Sequence, residues 1–106
     1  MALSRKFEVH VFLGTGVAAA ENAGFAPGAR YSLLVFVRQP KGEDGNARLA
    51  REGAATAGWK DVALESSRCL PGNAAPGDAS LQAALGDALS DGCAVLAYRQ
   101  PLAKTA

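Results

Sequence analysis

The stretch from Tyr31 to Arg38 constrains this chain most. Its side chains alternate, with Tyr31, Leu33, Val35 and Val37 on one side and Ser32, Leu34, Phe36 and Arg38 on the other, and both sides are largely apolar. Aromatic and β-branched residues in alternation specify a strand, because successive strand side chains point to opposite faces. Phe7 to Leu13 repeats the signal, placing Phe7, Val9, Val11 and Leu13 on one face and Glu8, His10 and Phe12 on the other. Two such strands near the start commit the chain to a sheet.

The connection from Gly14 to Arg30 is rich in Gly and Ala and closes on Pro27-Gly28, so a long hairpin loop is expected, with one helical turn around Ala18 to Ala23. Gln39-Pro40 stops the second strand. A helix follows the polar loop Lys41 to Gly45: Asp44 or Asn46 can cap it, Ala47, Ala50, Ala54 and Ala57 recur at helical spacing, and Gly58 ends it. Trp59 to Leu70 reads as a half-buried strand and Pro71 to Gly77 as a loop. The last helix starts at Asp78 or Ser80, buries Leu81, Leu85, Ala88 and Leu89, and stops at Gly92. Cys93 to Arg99 supplies a fourth strand.

The order strand, strand, helix, strand, helix, strand defines an α+β domain. Each helix has a single apolar stripe, so the expected architecture is a two-layer sandwich, a four-stranded mixed sheet with both helices on one face. Right-handed crossovers between parallel strands would put the two helices on the same side. The 106 residues, 1–106, make one domain with no room for a second core.

Composition excludes several roles. Eleven Lys and Arg against ten Asp and Glu give a net charge of +1, which offers no field to gather nucleic acid or anionic lipid. The apolar stretch after Met1 to Lys6 is interrupted by Glu8 and His10, so neither a signal peptide nor a membrane span is expected, and the reading is a cytoplasmic protein. Cys69 and Cys93 then read as reduced thiols packed in the fold.

No motif assigns chemistry. Gly14-Thr15-Gly16-Val17-Ala18-Ala19 matches G-x-G-x-x-A after a strand. The segment after it is too short for a crossover helix, and no acidic residue ends the second strand to take a ribose, although Arg38 there could meet a 2′-phosphate. A flexible loop without a dinucleotide is expected, and no cofactor. His10 is the only histidine and has no second His or Cys at ligand spacing in the sequence, so no metal site is expected either. Glu8 shares its face and could support it as a general base, as Glu65 could from the third strand. Trp59 reads as a plug at the helix-to-sheet junction, and Asp87 and Asp91 as a solvated pair.

The catalytic residues are therefore unassigned, and two functions compete. The favoured expectation is a self-associating interaction or regulatory module: a homodimer joined through the sheet face left open by the helices, where Phe12, Leu34 and Phe36 would form an apolar patch beside His10. The alternative is a small ligand-binding protein or enzyme with a pocket on that open face near His10, using Glu8 and Tyr31 as further polar groups.

Overall fold

β1 (Phe7–Ala18) and β2 (Arg30–Pro40) pair antiparallel along nearly their whole lengths, from Phe7 against Pro40 to Val17 against Arg30. β3 (Trp59–Leu70) adds to the free side of β1 and β4 (Cys93–Ala97) to the free side of β2, giving the order β3-β1-β2-β4. α1 (Ala47–Thr56) connects β2 to β3, and α2 (Ala79–Asp91) connects β3 to β4. This computed structural model describes residues 7–20, 22, 24–40, 42–70 and 79–98, and it is an α+β fold with the element order the sequence predicts. The expected loop at Pro71 to Gly77 and the cap at Asp78 lie outside the described residues.

Two details differ from expectation. The sheet is antiparallel at every pairing, because β2 and β3 both run against β1, which lies between them. The helices cover opposite faces. α1 places Ala50 and Ala54 against Phe12, Leu33, Val35 and Val37, whereas α2 places Ala84, Leu85 and Ala88 against Val9 and Phe36. Val35 and Phe36 are consecutive in β2 and so point to opposite sides. The crossover rule explains half of this: it applies to β2–α1–β3, whose strands are parallel to each other, and is silent on β3–α2–β4, whose strands are not. What places α2 is the apolar second face of β2, which needs a cover of its own.

β1 also runs further than its composition suggests, through Gly14, Thr15 and Gly16 to Ala18. A Cβ on Gly14 would overlap the carbonyl oxygen of Ala63, where a register shift between Leu13 and Gly14 brings β3 close. Glycine here serves a near approach of two strands. After Ala18 the chain folds back on itself, Ala18 donating to Ala29 and Gly28 donating to Ala18. Phe25, Tyr31 and Trp59 close this end of the sheet edge-to-face, with ring centroids 4.9, 4.9 and 5.6 Å apart. Trp59 is the expected plug, and the Tyr31 hydroxyl accepts a hydrogen bond from the Ala26 amide.

Arg38 has a structural task. It lies on the α2 face and donates to the Leu89 carbonyl at 2.7 Å, in the last turn of α2, where cations are favoured, and it stacks over the Phe7 ring. Cys69 and Cys93 are free. Cys69 pairs with His10, His10 with Val37 and Val37 with Cys93, so the two thiols end one row that crosses the whole sheet. Three strand spacings separate them by roughly 14 Å, beyond the reach of a disulfide.

The closest helix-to-sheet contact lies at Gly53 of α1, where a Cβ would overlap Cys93 Sγ on β4. Alanine is favoured over glycine within a helix by about 1 kcal/mol, and overpacking costs about 1–3 kcal/mol. Gly53→Ala should therefore lower stability in urea unfolding, and it should become neutral or stabilising once Cys93→Ala has removed the sulfur. A Gly53→Ala penalty that persists unchanged beside Cys93→Ala would show that the contact is not what holds α1 in place.

Candidate functional site

Glu8 and His10 lie two residues apart in β1, so their side chains leave the same face, the one that α1 covers. The β3 register sets Cys69 directly across from His10. The Cys69 thiol donates to Glu8 Oε2 at 3.2 Å, and one donor atom from each of Glu8, His10 and Cys69 lies within 4.8 Å of the other two. The three differ in exposure: Cys69 is open to solvent, Glu8 is half-buried and His10 is 5% exposed. The Nε2 atom of His10 is buried and makes no hydrogen bond.

The loop from Gly42 to Asn46 roofs this corner. Its amide at Gly42 donates to Glu8 Oε2 at 3.3 Å. Gln39, buried near the end of β2, grips the loop with both atoms of its amide: Nε2 donates to the Asp44 carbonyl and Oε1 accepts from the Asn46 amide, each at 2.8 Å. Asn46 in turn caps α1 by accepting from the Leu49 amide. Gly45 lies so close to the sheet that a Cβ there would stand 3.0 Å from Phe12 Cζ and 3.4 Å from His10 Nδ1. The polar loop and helix cap read from the sequence thus double as the cover over His10.

The electrostatics suit a protonated thiol beside a carboxylate. Desolvation pushes the Cys69 thiol above its ordinary value, and the hydrogen bond to Glu8 and the charge of Glu8 push it further the same way. Imidazole nitrogen, sulfur and carboxylate oxygen then converge from two strands, a donor set that can accept a cation or a polar ligand. Burial also raises the thiol of Cys93.

The residues expected to form a dimer face are not brought together. Phe12 pairs with Val35 and His10 with Val37, which puts both on the α1 side, while Leu34 and Phe36 belong to the α2 side. Phe12 and Phe36 are buried under this chain's own helices, His10 is buried beside the Gly42 to Asn46 loop and Leu34 is half-buried, so these residues form no open patch. Tyr31 lies on β2, across from Gly16 and so at the opposite end of the β1–β2 pair from His10, and packs in the aromatic cluster. Glu65 is exposed on β3, and Asp87 and Asp91 are exposed on α2. Cys69 is the member that sequence reasoning missed, since only the pairing of β1 with β3 sets it against His10.

A cavity of about 600 Å³ lies at the other end of the sheet, lined by Phe25, Trp59, Leu81, Leu96 and Tyr98. Asn22 and Ser80 also line it, and the Asn22 amide donates to the Gly58 carbonyl. No protein-family model, no curated protein and no solved structure matches this chain. Among the described residues no helix is long and apolar enough to cross a membrane.

The thiol geometry is open to a direct measurement. In chelator-treated protein Glu8→Gln removes the charge that favours the protonated thiol, so the pH midpoint for alkylation of Cys69 should fall. A raised value means less thiolate at a given pH, hence slow alkylation in the parent near pH 8 and faster alkylation in the variant. Equal rates for parent and variant across pH 7 to 10, read by mass spectrometry of the native protein, would dissociate Cys69 from Glu8; these pH limits are roughly those bracketing an ordinary thiol.

Proposed function

We propose that this chain is a small ligand-binding domain whose working site is the corner formed by Glu8, His10 and Cys69 beneath the Gly42 to Asn46 loop. One observation carries the reading: the Nε2 atom of a 95%-buried histidine, beside a carboxylate and a thiol, has no hydrogen-bond partner. Leaving a buried polar atom unsatisfied costs about 1–3 kcal/mol, so a chain selected for stability alone would place an apolar residue there. Self-association through the sheet, the other reading of the sequence, loses its argument because its patch is divided between two covered cores. Two free thiols fit a reducing, cytoplasmic setting.

Replacing His10 tests the reading without knowledge of the ligand. His10→Leu keeps apolar bulk and removes the unsatisfied nitrogen, so metal-free protein should gain roughly 1 kcal/mol, a rise of about 4–8 °C in Tm for a domain of this size. A loss of stability of that size in His10→Leu would make His10 a packing residue and end the proposal.

A further inference from the structure

We infer that Glu8, His10 and Cys69 bind one divalent, borderline-soft cation of the zinc type per chain, with a remaining position left to water or a ligand. This rests on the site reading above and goes beyond it by naming the ligand class. The donor set is the first argument. Imidazole, thiolate and carboxylate are the three side chains that zinc takes, at roughly 2.0–2.3 Å, and hard cations such as magnesium would not select the sulfur.

Geometry is the second argument. Donors around a tetrahedral zinc stand roughly 3.3–3.8 Å apart, as those bond lengths require. Cys69 Sγ and Glu8 Oε2 are already 3.2 Å apart, and all three donor atoms lie within 4.8 Å, so side-chain rotations of about 1 Å bring them onto one ion. Glu8 and His10 come from one strand and Cys69 from its paired neighbour, which fixes the backbone of all three by ladder hydrogen bonds before any ion arrives. The buried, unpartnered nitrogen of His10 is the third argument and is independent of the other two. An ion can supply what no protein group does, a partner for that buried imidazole.

The balance of charge is simple. The entering ion replaces the hydrogen of the Cys69 thiol, which is released to solvent as a proton, and it takes the lone pair of a neutral His10 nitrogen together with a carboxylate oxygen of Glu8. No electron is transferred. The protein becomes more stable as ion concentration rises, with the logarithm of that concentration over the dissociation constant, because the unfolded chain does not hold these three groups together.

The test uses the full chain, with Zn²⁺ for calorimetry and melting and Co²⁺ as the spectroscopic probe. One zinc per chain should bind, Tm should rise with zinc and not with magnesium, and cobalt should give a thiolate-to-metal charge-transfer band. Cys69→Ser, at an exposed position where folding is preserved, should abolish the band and weaken zinc roughly tenfold or more. His10→Leu should remove binding, while Cys93→Ser keeps both band and affinity. Absence of the cobalt band at saturation, or zinc affinity unchanged by Cys69→Ser or His10→Leu, overturns the cation. If His10→Leu stabilises the metal-free chain yet the parent binds neither ion, the cation falls and the site reading survives. If His10→Leu destabilises it, the site reading itself falls.

Discussion

The structure depends on a strand that is apolar on both faces. In β2, Leu33, Val35 and Val37 on one side and Phe36 on the other are all buried. Fully burying each such side chain gains about 1.5–3 kcal/mol, so neither face can be left to water without forfeiting much of a small domain's margin. A four-stranded sheet with only two helices can meet this need in one way, by giving each face a helix. The helices are accordingly short and small-sided, with Ala50 and Ala54 in one interface and Ala84 and Ala88 in the other. Small side chains let two thin layers sit close to the sheet, as the contact of Gly53 with Cys93 illustrates.

Covering both faces has a consequence for function. Neither face of β2 remains open to a partner or a ligand, while β3 stays largely exposed, and the candidate chemistry lies at an end of the sheet, where a loop joins the layers. One end is closed by the aromatic cluster of Phe25, Tyr31 and Trp59, two of which line the cavity there. The other is roofed by the polar Gly42 to Asn46 loop, and there Gln39 replaces the apolar residue that the β2 pattern would otherwise continue. Its two hydrogen bonds hold the loop against His10 and Phe12, so the local need to start α1 also builds the wall of the site.

Much of the framework was legible in the sequence because it follows from local rules. The bounds of β3, a cap at Asp44 or Asn46, the stop at Gly58 and the apolar stripe of α2 need only propensity and spacing. What was hidden depends on relations between strands. Alternation shows that a strand has two faces, yet it does not say which face joins which in the neighbour, and a shift of one residue exchanges them. Phe12 therefore falls opposite Val35, on the α1 side, and not beside Phe36. The run Gly14 to Gly16 has the composition of a loop, and only its place between two pairing strands makes it extended. Cys69 stands 59 positions after His10, and nothing short of the β1–β3 register could bring them together.

The treatment of polar groups elsewhere in the fold gives His10 its meaning. The buried Tyr31 hydroxyl has the Ala26 amide, buried Gln39 uses both of its amide atoms, and half-buried Arg38 reaches the Leu89 carbonyl. Among the described residues, His10 Nε2 is the one buried side-chain nitrogen or oxygen without a partner. A chain that satisfies its other buried polar groups with this economy has the means to satisfy this one, or to replace it with leucine. Local rules that agree everywhere else and fail at one point mark that point as serving something other than the fold. His10 lies where a carboxylate and a thiol already touch, and a ligand that completes all three groups at once accounts for its retention.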